Sequence, residues 1–212
     1  MKLKINEIFH SIQGESSYAG FPCVFIRLTG CNLRCIDCDT KYAYFEGSDM
    51  EIDEIIKKVS LMNCKLVEIT GGEPLVQKNT NYLINSLLKK RFHVLLETNG
   101  SKDISEIDKK CIKIIDIKCP STGEEKSNYF ENFKYISQKD EIKFVIGERD
   151  DYCYAVDKLK ELNLKNNLVH FSTIYGKIQP KTLAEWILHD KINVKLQLQL
   201  HKIIWNPNKR GV

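Results

Sequence analysis

Cys23-Val24-Phe25-Ile26-Arg27-Leu28-Thr29 reads as an apolar strand, and Gly30-Cys31-Asn32-Leu33-Arg34-Cys35-Ile36-Asp37-Cys38-Asp39-Thr40 follows it without a break. A short apolar run that ends at a glycine suits a strand buried on both faces. The loop after it carries three cysteines, separated by three residues and then by two. A 4Fe-4S cubane normally takes four cysteine ligands, so three on one compact loop leave one iron for a ligand from elsewhere. The competing reading is structural zinc, which needs four ligands, usually in two close pairs. No second pair follows: Cys23, Cys64, Cys111, Cys119 and Cys153 are scattered singly. Of these, Cys23, Cys111 and Cys153 fall in runs that read as core strand or helix, where free cysteine behaves as a small hydrophobe.

An iron left open can do chemistry. If the outside ligand is S-adenosylmethionine, its amino and carboxylate groups chelate that iron. One electron from the cluster then breaks the carbon-sulfur bond, and the deoxyadenosyl radical abstracts hydrogen from a substrate.

Beyond the loop, Ser48 or Asp49 is positioned to cap a helix whose apolar residues Ile52, Ile55, Ile56 and Val59 recur at helical spacing. A strand at Leu66 to Thr70 ends in Gly71-Gly72-Glu73-Pro74. A helix through Leu83, Ile84, Leu87 and Leu88 then leads to a strand at His93 to Thr98. Strands at Ile112 to Lys118, Glu141 to Ile146 and Leu168 to Ser172 continue the alternation, with helices marked by Val156, Leu159, Leu162 and by Leu183, Trp186, Ile187. Such repeats build a parallel sheet with right-handed crossovers. About six strands, counting Cys23 to Thr29, are too few for a closed eight-stranded barrel, so the expected fold is α/β, an open, partial (βα)6 barrel with short N- and C-terminal extensions. The polar motifs all follow strand ends, where parallel α/β folds collect functional groups. Pro120 to Asn128, rich in Ser, Gly, Glu and Lys, reads as the most mobile loop.

The 212 residues, 42% hydrophobic, suit one domain spanning 1–212 with one substantial core. The net charge of +4, from 32 basic and 28 acidic residues, is spread along the chain, which argues against a nucleic-acid interface. No apolar run is long enough to span a membrane, and Met1 to Asn6 leads into polar sequence where a signal peptide needs a long apolar stretch. Thiolates that ligate iron need a reducing compartment, so a cytoplasmic location is expected.

With Cys31, Cys35 and Cys38 ahead of Gly71-Gly72-Glu73-Pro74, the chain resembles the radical S-adenosylmethionine enzymes. Further motifs narrow the resemblance: Glu7-Ile8-Phe9, Ser11-Ile12-Gln13-Gly14-Glu15, Phe25-Ile26-Arg27, Cys38-Asp39-Thr40, Glu97-Thr98-Asn99-Gly100, Lys118-Cys119-Pro120-Ser121, Gln199-Leu200-His201 with Trp205, and Asn208-Lys209-Arg210-Gly211-Val212. Together they are similar to the 7-carboxy-7-deazaguanine synthases of queuosine biosynthesis. That resemblance implies a radical-SAM-type partial barrel with shortened or modified helices. The reaction it implies rearranges 6-carboxytetrahydropterin: hydrogen is abstracted beside the carboxylate, the ring contracts to a pyrrole, and ammonia is lost. The implied cofactors are a 4Fe-4S cluster on Cys31, Cys35 and Cys38, S-adenosylmethionine, and magnesium on Thr40.

By the same resemblance Ile12, Gln13, Gly14, Arg27, Thr70, His201 and Val212 contact the pterin, with Arg27 able to grip a carboxylate through its planar fork. Asp37, Cys38, Asp39, Gly72, Asp116 and Lys118 contact S-adenosylmethionine, Asp116 and Lys118 at its ribose. Flavodoxin or a similar protein supplies electrons, and the enzyme is a homodimer. Three positions depart from the family pattern. Asp37 replaces a residue that is commonly aromatic and placed against adenine; Asp116-Ile117-Lys118-Cys119 stands where relatives have Ser-Pro-Lys-Pro; and Asn206-Pro207 is a local insertion in the tail. Two rival functions remain at this stage: a radical activase that installs a glycyl radical on a protein partner, and a zinc-binding module without catalysis.

Overall fold

The computed structural model describes residues 1–164 and 166–212. Its framework is one nine-stranded sheet. In chain order the strands are β1 (Lys2–Ile12), β2 (Pro22–Leu28), β3 (Ser48–Glu51), β4 (Leu66–Gly71), β5 (His93–Thr98), β6 (Ile112–Ile117), β7 (Glu141–Ile146), β8 (Leu168–Thr173) and β9 (Lys195–Gln197). The spatial order is β3-β1-β2-β4-β5-β6-β7-β8-β9, and the end strands β3 and β9 do not meet. From β2 onward every pairing in that order is parallel, while β1 pairs antiparallel with both β2 and β3.

Among the described residues five α-helices complete the fold: α1 (Ile52–Leu61), α2 (Thr80–Lys89), α3 (Arg149–Glu161), α4 (Pro180–Asp190) and the short α5 (Leu200–Ile204). The first four pack on one face of the sheet. There Ile55, Leu83, Tyr152 and Leu183 meet Val67, Ile69, Val94, Ile142 and Phe171 in one continuous core of buried side chains. The helix spacing of Ile52, Ile55, Ile56 and Val59 is borne out, since all four are buried on α1.

The six parallel strands expected from sequence are present, and three further strands join them. Ser48 and Asp49 do not cap α1: they lie in β3, paired with Ile5 and Lys4, and Glu51, in extended conformation, is the residue before the helix. A ladder to residues more than forty positions away outcompetes a local cap, and single-sequence periodicity carries no trace of it. Pro120 to Asn128 is no loose loop either. It contains two short 3-10 turns and is pinned where Ser121 N and Oγ donate to the buried Asp151 at 2.8 and 2.6 Å. Cys23 and Cys111 are buried as expected, whereas Cys153 on α3 is exposed.

The loop between β1 and β2 reaches across the open side of the barrel. Ser17 N donates to Glu141 Oε2 on β7 at 2.9 Å, Lys195 Nζ on β9 donates to the Ser16 carbonyl at 3.0 Å, and Leu200 N to the Gly14 carbonyl at 3.0 Å. Residues 13–20 thereby join the first strands to the last, enclosing the inner face that the helices do not cover.

Candidate active site

Charged residues interrupt four apolar strands at positions facing inward: Glu68 on β4, Glu97 on β5, Asp116 on β6 and Lys143 on β7. The registers align them, with Glu68 opposite Leu95, Glu97 opposite Ile114 and Asp116 opposite Lys143. Paired residues share a face and successive residues alternate, so all four point to the side opposite the helices. There they line a cavity of about 260 Å³ at the carboxyl ends of the strands. Every residue that the sequence reading assigned to cluster, cofactor, substrate or magnesium lines this same cavity.

The cysteine loop is held from several sides. Gly30 N donates to the Ala43 carbonyl at 2.8 Å, Glu73 N to the Gly30 carbonyl at 2.8 Å and Ile36 N to the Thr122 carbonyl at 3.1 Å, while Arg34 N donates to Glu124 Oε1 at 2.6 Å. Gly72 is required by this packing: a Cβ there would overlap the Gly30 carbonyl and lie 2.8 Å from Cys31 Cβ. Glu73, fully buried, braces the neighbouring strand ends, accepting from Leu75 N at 2.9 Å, Thr98 Oγ1 at 2.9 Å and Asn99 N at 2.7 Å. Asn99 Nδ2 in turn lies 3.8 Å from Cys31 Sγ, a contact of the kind that tunes a metal-bound thiolate.

Burial raises the Cys31 thiol and pushes Cys35 up to about 11, with Lys118 opposing the shift at Cys35. Metal loading here must therefore expel protons. Among the described residues no three His, Cys, Asp or Glu side chains converge as a one-ion site requires. A cubane instead gives each thiolate its own iron, which suits three cysteines spread along a loop.

Lys143 is the electrostatic hub. Its ammonium contacts Glu15 at 2.9 Å, Glu97, and Asp116 at 3.7 Å. Burial alone would lower its pKa, but the three carboxylates raise it well above the ordinary value. Burial likewise opposes ionisation of Glu15, yet Lys143, His201 and Gln199 bring it down to about 2. Glu68 goes the other way: burial, then the negative charges of Glu97 and Glu15, raise it well above 4.5. It pairs with Gln13 Nε2, and Gln13 Oε1 accepts from Glu15 N at 3.1 Å; the amide is held at both ends.

Lys118 Nζ contacts Asp116 Oδ2 at 3.0 Å. Asp116 Oδ1 is buried without a hydrogen-bond partner, an acceptor suited to a ligand hydroxyl. Arg27 Nε donates to Glu7 Oε1 at 2.8 Å, and its terminal nitrogens have no hydrogen-bond partner among the described residues, so half of the fork is available to an anion. Asp37 pairs with Lys177 at 2.6 Å and Asp39 with Lys202 at 2.7 Å, while Thr40 Oγ1 donates to Asp39 Oδ1 at 2.9 Å. Burial lowers the His201 pKa, with Glu15 opposing the shift.

The sequence reading assigned no role to Glu68, Glu97 or Lys143. The signal was present: a charged side chain set among apolar ones in a buried strand must find a charged partner or a ligand on the face it points to.

The family model of the radical SAM superfamily matches residues 25–189. The 7-carboxy-7-deazaguanine synthase of Chlorobaculum tepidum is 44% identical over 99% of this chain and 97% of its own length. That of Koribacter versatilis is 42% identical over 99% and 100%, and that of Clostridium acetobutylicum 40% identical over all of both chains. The crystal structure of QueE from Escherichia coli superposes with a TM-score of 0.74 at 23% identity, covering 93% of this chain and 94% of its own, which supports the fold. On a cavity built around the cysteine loop and on full-length similarity of this order, the chain belongs to the radical SAM superfamily and, within it, to the 7-carboxy-7-deazaguanine synthases.

Proposed function

We propose that this protein converts 6-carboxy-5,6,7,8-tetrahydropterin to 7-carboxy-7-deazaguanine with loss of ammonia, as a step in making 7-deazapurines such as queuosine. The observation that carries the reading is one shared cavity, in which the three cysteines of one loop share walls with Gln13, Arg27, Thr70 and His201. The cofactors are a 4Fe-4S cluster, S-adenosylmethionine and magnesium. When bound, they supply a radical that removes hydrogen from the substrate. The glycyl-radical activase and the zinc module are not favoured.

The chain's own residues then bind and orient. Cys31, Cys35 and Cys38 hold the cluster. Gly72 lies beside the loop at the methionine end of the cofactor, and Asp116 with Lys118 meets the ribose, a role supported by the unpartnered Asp116 Oδ1. The backbone around Asp37 to Asp39 would take the adenine, because Asp37 is committed to Lys177 and offers no ring for stacking. Thr40, whose hydroxyl donates to Asp39, would offer magnesium its oxygen lone pairs. Arg27 takes the substrate carboxylate on its unengaged nitrogens. Ile12 and Gly14 flank the heterocycle, Gln13 and His201 read its edge, Thr70 lies beside it, and Val212 closes the far wall.

A single domain over residues 1–212 is supported by the sheet that runs from Lys2 to Gln197. Among the described residues no helix is long and apolar enough to cross a membrane. A cytoplasmic setting, electron supply by flavodoxin or a similar protein, and a homodimer covering open sheet edges such as β3 belong to the same proposal. The test is anaerobic incubation of cluster-loaded protein with the carboxypterin, S-adenosylmethionine, magnesium and a reductant. Formation of 7-carboxy-7-deazaguanine supports the proposal, and cofactor cleavage with the pterin left intact refutes it.

A further inference from the structure

Glu7 and the tail residue Arg210 touch no proposed ligand, yet the fold brings them together through Tyr42. The tail is turned back at Asn206-Pro207. Asn206 Oδ1 accepts from Asn208 N at 3.0 Å, and the Asn206 carbonyl accepts from Lys209 N at 2.9 Å, with Pro207 fixing φ at the corner. Arg210 then places its guanidinium carbon 3.7 Å from the centre of the Tyr42 ring and Nη1 2.8 Å from Glu46 Oε2. Tyr42 OH donates to Glu7 Oε1 at 3.1 Å, and that oxygen also accepts from Arg27 Nε at 2.8 Å. The Gly211 backbone passes close to Glu7, since a Cβ on it would lie 3.9 Å from Glu7 Oε2, and its φ of +71° is one that a side chain disfavours. Val212, next in the chain, lines the cavity.

We propose that Tyr42, Glu46 and Arg210 form a latch that holds the tail over the cavity, and that Glu7 couples this latch to Arg27. The inference rests on placing Arg27 and the tail in the substrate pocket. Its physical basis is competition for one carboxylate. Glu7 Oε1 is shared between Arg27 and Tyr42, and an anion arriving at Arg27 takes up part of that guanidinium's charge. Glu7 then accepts more strongly from Tyr42, which makes the ring a better seat for the Arg210 cation. Arg210 and Glu46 are both more than half exposed, so the pair is weak alone, as a gate that opens on every turnover requires. Arg210, Tyr42, Glu46 and Glu7 are positioning residues, since none meets the reacting atoms.

Hydrogen exchange of residues 206–212, measured on cluster-loaded full-length protein with and without the carboxypterin, reads the latch directly. In the wild type exchange is slow and slows further with pterin. Arg210→Ala and Tyr42→Leu make it fast in both conditions and raise KM about five- to tenfold, the scale of one cation-π contact plus one surface ion pair. They leave kcat and substrate-free cofactor cleavage unchanged. Tyr42→Phe keeps the ring but not the hydroxyl, so protection without pterin persists and the response to pterin is lost. Wild-type exchange and KM in Arg210→Ala overturn the proposal, as does a full pterin response in Tyr42→Phe. A chain ending at Pro207 separates this inference from the reading beneath it. If that chain binds pterin normally, the tail is not part of the pocket. If it binds weakly while Arg210→Ala binds normally, only the latch fails.

Discussion

Gly14 and His201, at opposite ends of the chain, occupy one space: a Cβ on Gly14 would overlap the imidazole, whose Cγ lies 3.1 Å from that position. Leu200 N donates to the Gly14 carbonyl at 3.0 Å, so α5 is seated directly on the β1–β2 loop. The φ of Gly14 is not in the left-handed region, so glycine is needed here for room. Gly14→Ala should push His201 off the cavity wall, with an overpacking cost of about 1–3 kcal/mol. We expect KM for the pterin to rise by at least about tenfold, since a displaced polar partner is worth roughly 1.4 kcal/mol or more, with iron content unchanged. Thermal denaturation and steady-state kinetics check both.

The cysteines separate into two groups. Replacing Cys31, Cys35 or Cys38 by Ala should abolish cofactor cleavage. Replacing the buried Cys23 or Cys111 should cost about 1–2 kcal/mol of stability and leave the cluster in place, and the exposed Cys153 should tolerate Ala without effect. Iron analysis with a cleavage assay decides, and an active Cys35→Ala protein would contradict the assignment.

Glu68 makes stability depend on pH in a specified sense. Burial, Glu97 and Glu15 raise its pKa well above the ordinary 4.5, so the folded protein keeps a proton that the unfolded chain releases. Its contribution to stability is complete below 4.5 and declines as pH rises through the folded-state value. Glu68→Gln keeps a neutral partner for Gln13 and removes the titration. Denaturation midpoints from about pH 5 to about pH 8 should therefore fall less in the variant than in the wild type. Parallel curves would show that Glu68 is ionised when folded.

Thr40→Val should leave the cluster intact and make turnover slow and insensitive to magnesium. An unchanged magnesium response would remove Thr40 from the metal site.

The parallel strands and the gathering of polar motifs at one end of them were legible in the sequence because both follow from local pattern, whereas the roles of Gln13, Arg27, Thr70, His201 and Val212 came from the family resemblance. Apolar runs such as Leu66 to Thr70 announce buried strands, and the polar residues that follow each run must gather at one end of a parallel sheet. What escaped depends on distant partners. The strand at Ser48–Glu51 exists through β1, Gly72 is fixed by the Gly30 carbonyl, and Pro120 to Asn128 looks loose in composition until Asp151 on α3 ties it down. Lys143 was legible in principle, since an ammonium within Glu141 to Ile146 must find carboxylates, but which ones is settled only by the register with Asp116 and the reach of Glu15 and Glu97.

The account's central claim is that this cavity directs hydrogen abstraction to the carbon beside the pterin carboxylate gripped by Arg27. The most direct measurement uses carboxypterin deuterated at that carbon and follows the label by mass spectrometry in a single anaerobic turnover. The account predicts deuterium in the 5′-deoxyadenosine formed, since the carboxyl-bearing carbon of the pyrrole product holds no hydrogen. Product formed alongside unlabelled deoxyadenosine, with the deuterium released to solvent, would contradict it.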